Sequence, residues 1–253
     1  MLMSDSFVSE ADMYPSAAAC KDVLASTFDV AVNHFFQVKA AVGIPDLVLA
    51  IFDDQELEYR SQNKLTPIVD APDVAAMSYL GNRWSEKCST AEVAQAVGMS
   101  AGYISSEVLP RLVTAGHAEK VARGKWQACH SFRSTVRLLV TVEAKVSAWK
   151  QALWQAQRHS AGADMAWVLL DTRAVEPAMR NRAFFRKMCV GVASLNVSGS
   201  LTVHQQAPAR ATSPIERTIL AERVMHLYLS GRSEWDWSSM FGLATGPKAS
   251  GAS

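Results

Sequence analysis

What this sequence has little of narrows it first. It has no surplus of charge: 25 Lys+Arg against 24 Asp+Glu leave a net charge of +1. That balance excludes a polycation that coats nucleic acid by bulk charge, so any nucleic-acid site must be a local patch. Charged residues make up only 19% of the chain against 49% hydrophobic ones, which excludes a highly charged disordered chain. The four cysteines, Cys20, Cys88, Cys129 and Cys189, lie far apart with no C-x-x-C pair. A disulfide framework or zinc ribbon is therefore not expected, and free thiols in a reducing compartment are. Apolar runs such as Leu47–Phe52 fall well short of the ~18 residues of a membrane span. The opening MLMSDSFVSEADMYP lacks the basic and apolar regions of a signal peptide. A soluble cytoplasmic protein with no membrane association is the expectation, and neither an internal repeat nor a low-complexity tract stands out.

What is present reads as alternating helices and strands. With 253 residues the chain suits one large domain or two small ones. A helix is expected over 10–26, a β-branched and aromatic strand over 28–38, and a buried apolar strand over 44–53. Residues 54–72, polar and with two prolines, read as a connector. Further on, 134–147 reads as a long strand, 148–162 as a helix, and 165–173 as a strand. Residues 176–188 form a helix with Pro177 in its first turn. A hairpin over 190–207 turns at Ser198-Gly199, and a final helix starts near Pro214. The closing PKASGAS is expected to be disordered. This order predicts an α/β fold with a mixed central sheet.

The stretch 73–130 has its own character. A helix is followed by Ser89-x-x-Glu92, a capping box for a second helix that Gly98 ends. Ser100 caps a third, which Pro110 should kink and Gly116 ends. HAEKVARGKWQACH then makes a hairpin with Arg123-Gly124-Lys125 at its tip. Three helices and a two-stranded wing resemble a winged helix-turn-helix. The third helix brings no Lys or Arg before Arg111, so guanine readout is poorly served, whereas Ser100, Tyr103, Ser105, Ser106 and Arg111 suit phosphates or bases. Arg123 and Lys125 suit a phosphate backbone or minor groove. Such modules also bind proteins, and that reading stays open. Gly98-x-Ser100-x-Gly102 matches a hydrolase nucleophile elbow, but the elbow needs a preceding strand, and AEVAQAV is helical in pattern.

Chemistry concentrates elsewhere. Pro45-Asp46 leads into one apolar strand and Glu143-Ala144-Lys145 ends another. Residues two apart on a strand share a face, so Glu143 and Lys145 project together. Burying them would be costly unless they were paired or metal-bound. A helix follows directly, and its Gln155 is placed to point back.

Pro45-Asp46 followed by Glu143-x-Lys145 resembles the PD-(D/E)XK nuclease superfamily, with its restriction-endonuclease-like sheet. Glu10 matches an acidic residue that many members carry in the first helix. Gln155 with His159 looks like a Gln-x-x-x-Tyr motif in which His replaces Tyr. The long interval from Asp46 to Glu143 departs from the usual pattern, and an inserted 73–130 accounts for most of it. The resemblance implies a core in two parts, 1–72 and 131–212, around a winged helix at 73–130, with a C-terminal helix and flexible tail at 213–253.

It further implies a metal-dependent DNA endonuclease of restriction, repair, phage-defence or mobile-element type. Asp46, Glu143 and the Ala144 carbonyl are hard oxygen donors suited to Mg²⁺ or Mn²⁺. Glu10 would hold a second ion, Lys145 the attacking water, and Gln155 would orient Lys145 or the phosphate. The implied partners are DNA and either a second copy, as a homodimer, or a partner protein of a defence or transposition system. The alternative is an inactive nuclease-fold protein serving as a DNA-binding regulator or assembly subunit. Three features outside the motif are also notable. Trp149 and Trp154 read as packing groups. Trp235 and Trp237 read as docking on the body or a partner. Arg180, Arg182, Arg186 and Lys187 read either as a phosphate-facing stripe or as a solvated face.

Overall fold

The computed structural model describes residues 6–235. The expected tail PKASGAS and Trp237 lie outside them. Among the described residues no helix is long and apolar enough to cross a membrane.

The architecture is α/β. Its main sheet has six strands: β1 (Asn33–Phe36), β2 (Leu47–Phe52), β6 (Val136–Lys145), β7 (Met165–Asp171), β8 (Gly191–Leu195) and β9 (Leu201–Gln205), side by side in that order. The β6–β7 and β7–β8 pairs run parallel and the other three antiparallel, so the sheet is mixed. Its inner strands are buried on both faces, which explains the unbroken apolar runs LVLAIF in β2 and MAWVLL in β7. One face is covered by α1 (Tyr14–Ala19) and α2 (Lys21–Leu24), whose Ala17 and Leu24, with Met13 of the 3-10 turn before α1, meet Leu49, Val142 and Trp167. The other face is shared. Beneath it, α8 (Trp149–His159) packs Ala152, Leu153 and Ala156 on Val168 and Leu170. Alongside, α11 (Pro214–Leu229) packs Leu220, Val224 and Met225 on Val48, Ala50 and Leu139. The C-terminal helix is therefore an integral layer of the body.

A second, smaller unit interrupts the chain between β2 and β6. It comprises α4 (Ala71–Gly81), β3 (Cys88–Ser89), α5 (Thr90–Val97), a helix opening as α6 (Ala101–Tyr103) and closing as α7 (Leu109–Thr114), then β4 (Ala118–Ala122) and β5 (Lys125–Ala128). The strands form a three-stranded sheet in the order β3-β5-β4, one strand more than the hairpin expected. The capping box is present: Ser89 accepts from the Glu92 N–H at 3.2 Å, and Glu92 accepts from the Ser89 N–H at 2.5 Å. Between α6 and α7 the backbone makes a π turn over Ile104–Val108. Pro110 has no N–H for the carbonyl four residues back, and this widened turn takes up the irregularity. Val74, Met77, Leu80, Val93, Ile104, Leu109 and Trp126 form the unit's core. Ile219 of α11 joins that cluster, so the same helix seals the main sheet and carries the smaller unit.

Several expectations change. Residues 54–72 are not simply a connector: α3 (Asp54–Gln62) forms there, capped by Asp53, which accepts from the N–H groups of Gln55 and Glu56. The helix over 10–26 breaks at Cys20. The strand over 28–38 shrinks to Asn33–Phe36, because Gln37 takes a positive φ of 51° and Phe28 is 79% exposed. The helix over 176–188 splits into α9 (Val175–Arg180) and α10 (Arg182–Lys187) at Asn181, whose side chain donates to the Pro177 carbonyl. Trp235 does dock on the body: it is half-buried against the cluster beneath α11, with the Arg223 guanidinium 5.8 Å from its ring centroid.

Candidate active site

One end of the main sheet gathers the charged residues. Even-numbered β6 residues (Val140, Val142, Ala144) face α1 and α2. The odd-numbered Glu143 and Lys145 therefore turn to the other face, two residues apart and side by side. β2 runs antiparallel to β6 with Leu47 opposite Val142, so Asp46, just before β2, arrives beside Glu143. The Ala144 N–H donates to Asp46 Oδ2 at 2.9 Å, continuing the ladder through a side chain. Glu10, at the start of the 3-10 turn before α1, reaches in from the opposite layer.

Lys145 is the hub. Its Nζ donates to Glu10 Oε2 and Glu143 Oε1, both at 2.9 Å, and to the Ala144 carbonyl at 3.2 Å. Asp46 Oδ2 stands 4.0 Å away. Glu143 is 2% exposed and Lys145 5%, so they are no solvated edge pair. Burial disfavours the Lys145 ammonium, but the Glu10 and Glu143 hydrogen bonds outweigh it and hold its pKa above the ordinary value. Burial, then the charge of Asp46, pushes Glu143 up to about 7 against the opposing pull of Lys145.

Two further residues complete the cluster. The Tyr14 hydroxyl donates to Asp46 Oδ1 at 2.6 Å, and its ring stacks on Phe36 with centroids 5.8 Å apart. Burial and then that hydrogen bond raise the Tyr14 pKa, keeping the phenol protonated. His159 Nδ1 lies 3.6 Å from Glu143 Oε2, beyond hydrogen-bond reach, and both atoms are buried without a partner. Burial, then the Arg158 and Lys145 charges, lowers the His159 pKa to about 4, so the ring is neutral. Gly43 makes room for that ring: its φ is +81°, and a Cβ there would sit 2.5 Å from His159 Nε2.

The structure thus brings together Glu10, Asp46, Glu143 and Lys145, which the sequence spreads over more than half the chain. It does not bring Gln155 to Lys145. An ammonium has three donors, all already engaged, and Gln155 Oε1 is buried without a partner one helical turn from His159. Tyr14 and Gly43 escaped the sequence reading. Tyr14 follows Glu10 by four positions in a helical stretch, the spacing that places two side chains on one face. Gly43 left no signal beyond its place before Pro45-Asp46.

In the smaller unit the named residues divide. Ser100 Oγ accepts from the Tyr103 N–H as a helix cap, and Ser105 donates to the Gly102 carbonyl. Arg111 binds Asp73 through two hydrogen bonds of 2.7 and 2.6 Å, with Glu107 3.6 Å away, so it fastens α7 to α4. Tyr103, Ser106, Arg123 and Lys125 remain exposed, the last two at the tip of the β4–β5 hairpin.

Among the described residues no three His, Cys, Asp or Glu side chains stand in a metal-holding arrangement. The donors that suit a hard cation are the Asp46 and Glu143 carboxylates and the Ala144 carbonyl, with Glu143 Oε2 as the orphaned oxygen. The class defined by fold and site is an α/β chain that gathers three carboxylates around one buried lysine at one end of a mixed sheet. No protein-family model, curated protein or solved structure matches the chain.

Proposed function

We propose that the chain is a divalent-metal-dependent endonuclease of the PD-(D/E)XK kind, hydrolysing DNA phosphodiesters with the help of an inserted winged helix. The observation that carries this reading is the meeting of Asp46, Glu143 and Lys145 within hydrogen-bond and ion-pair distance at a sheet end. The exposed Arg123 and Lys125 at the tip of the smaller sheet suit a phosphate backbone.

Asp46, Glu143 and the Ala144 carbonyl would hold Mg²⁺ or Mn²⁺. Such a cation supplies Lewis-acid charge and acidifies an attacking water. The chain's own groups do the rest. Tyr14 and the Ala144 N–H fix both oxygens of Asp46, setting the direction of its remaining lone pairs. Lys145 keeps a proton and a positive charge beside the scissile position, where it offsets charge developing on the phosphoryl oxygens. Glu10 holds the Lys145 ammonium toward the cluster. His159, neutral and buried, closes the floor beneath Glu143 and limits water there.

A second reading is an inactive nuclease-fold protein that binds DNA or assembles with a partner. It is favoured by the Lys145 ammonium standing among the oxygens that a metal would need. The test is incubation of the full chain with duplex and single-stranded DNA and with RNA, in Mg²⁺ or Mn²⁺. Cleavage is expected, and Lys145→Ala should lower it by about 10²–10⁴-fold. The variant should still fold, because Glu143 takes up a proton in place of the lost cation. If no nucleic acid is cut and no metal binds at Asp46 and Glu143, the second reading stands.

A further inference from the structure

Away from the candidate site, α8 and α10 present an unusual surface. Lys150, Trp154 and Arg158 recur every four residues along α8, forming one outward stripe. Trp154 is 60% exposed, against the expectation that it packs, and Phe184 of α10 is 55% exposed. A cleft of about 150 Å³ separates them, lined by Trp149, Lys150, Leu153, Trp154, Phe184 and Met188. Its floor is fixed, since Trp149 and the buried Phe185 hold the helices together with ring centroids 5.8 Å apart. Lys150 lines it, Arg158 follows on the same α8 stripe and Lys187 is exposed on α10, while neither helix contains an Asp or Glu; Arg182 and Arg186, each two residues from Phe184, project from the other side of α10.

Large exposed aromatics rimmed by charge mark an interaction surface. Lys150, Arg158 and Lys187, on helices that contain no carboxylate, select a polyanion. Two exposed aromatic rings select flat apolar partners, which unpaired nucleobases supply and a duplex keeps stacked inside. We propose that this α8–α10 face binds single-stranded nucleic acid, with bases stacking on Trp154 and Phe184 and phosphates meeting the surrounding Lys and Arg side chains. The inference needs no cleavage, so it stands or falls apart from the nuclease reading.

The test is fluorescence anisotropy of labelled oligo-dT with the full chain in EDTA, which prevents metal-dependent cutting. Salt-dependent binding is expected. Trp154→Ala and Phe184→Ala should each weaken it about tenfold, and Trp154→Tyr should recover most of the loss. Replacing Lys150 and Lys187 by Ala should flatten the logarithmic salt slope by about 1.4. Both aromatics are exposed, so thermal melting should move little and a folding defect can be told apart. The proposal is overturned if oligo-dT does not bind, if the Ala variants bind as the parent does, or if duplex DNA of equal length displaces oligo-dT. It is equally overturned if Trp154→Ala dissociates a self-associated form without affecting oligo-dT, since the occupant would then be a second copy.

Discussion

Two of the places where the molecule buries charge are built differently. At the seam between the main sheet and the smaller unit, Arg60 is 2% exposed and uses every arm of its guanidinium. Nε faces Glu56 at 3.4 Å, Nη1 donates to Glu222 at 3.0 Å, and Nη2 donates to the Arg133 carbonyl at 2.7 Å. Glu222 also accepts from the Ile68 N–H at 2.9 Å. The seam thereby ties α3, α11 and both connectors to one planar cation that cannot lose its proton. At the sheet end, three carboxylates share one lysine, and Glu143 Oε2 and His159 Nδ1 face each other unpartnered. At the seam one oxygen, Glu222 Oε1, also lacks a hydrogen bond, but it stands 2.8 Å from Arg60 Nη1 and is ion-paired, as suits a joint. The orphaned atoms at the sheet end are those of a place where something else binds.

The sharpest way to break that comparison is at the seam. Arg60→Met leaves Glu222 buried without its cation, which should cost about 3–5 kcal/mol in urea unfolding. Adding Glu222→Gln should return much of the loss, because the cost lies in the stranded charge. A loss of under about 1 kcal/mol for Arg60→Met would mean that the seam is no more fixed than an exposed ion pair.

Acid should act on the seam as well. His117 is fully buried, with Nε2 2.7 Å from the Thr66 carbonyl and Nδ1 3.0 Å from His130 Nε2. Burial, then the charges of Arg60 and His130, lowers its pKa to about 4 against the pull of the Thr66 carbonyl. The folded pKa lies below the unfolded one, so the unfolded chain takes up the proton first. Stability should fall as pH drops from about 6.5 towards 4 and gain no further slope from this group below that, a loss of up to roughly 3 kcal/mol. Urea midpoints measured across that range should drop more steeply for the parent than for His117→Phe. Equal slopes would remove His117 from the account.

These two clusters also explain what the sequence could and could not give. β2, β6 and β7 were legible because strands buried on both faces read as continuous apolar runs. The Ser89–Glu92 box and the Arg123-Gly124-Lys125 turn were legible because their partners lie within a few residues. Asp46, Glu143 and Lys145 were legible as a set only through their order along the chain. By contrast, α3 was missed because its buried face is Glu56 and Arg60, so it shows no apolar stripe, and its partner Glu222 is remote in sequence. Arg111 was read as facing nucleic acid because nothing local reveals Asp73. Trp154 was read as packed because a tryptophan on an amphipathic helix usually is. Long-range charge pairing and exposure are what a linear reading lacks.

The smallest predicted effect sharpens the comparison at the sheet end. Tyr14→Phe keeps the ring on Phe36 and removes only the hydroxyl that holds Asp46 Oδ1. Outer partners of a metal-ligating carboxylate set its orientation, and losing one weakens binding by about 10-fold or somewhat more. Titration of Mn²⁺ into parent and variant should show that loss while the thermal midpoint hardly moves. In an Asp46→Asn background the same change should do almost nothing, because the carboxylate it orients is gone. A Tyr14 effect that persists without the Asp46 carboxylate would make the contact a packing feature. The orphaned atoms at the sheet end would then have to be explained without a site that orients its ligands.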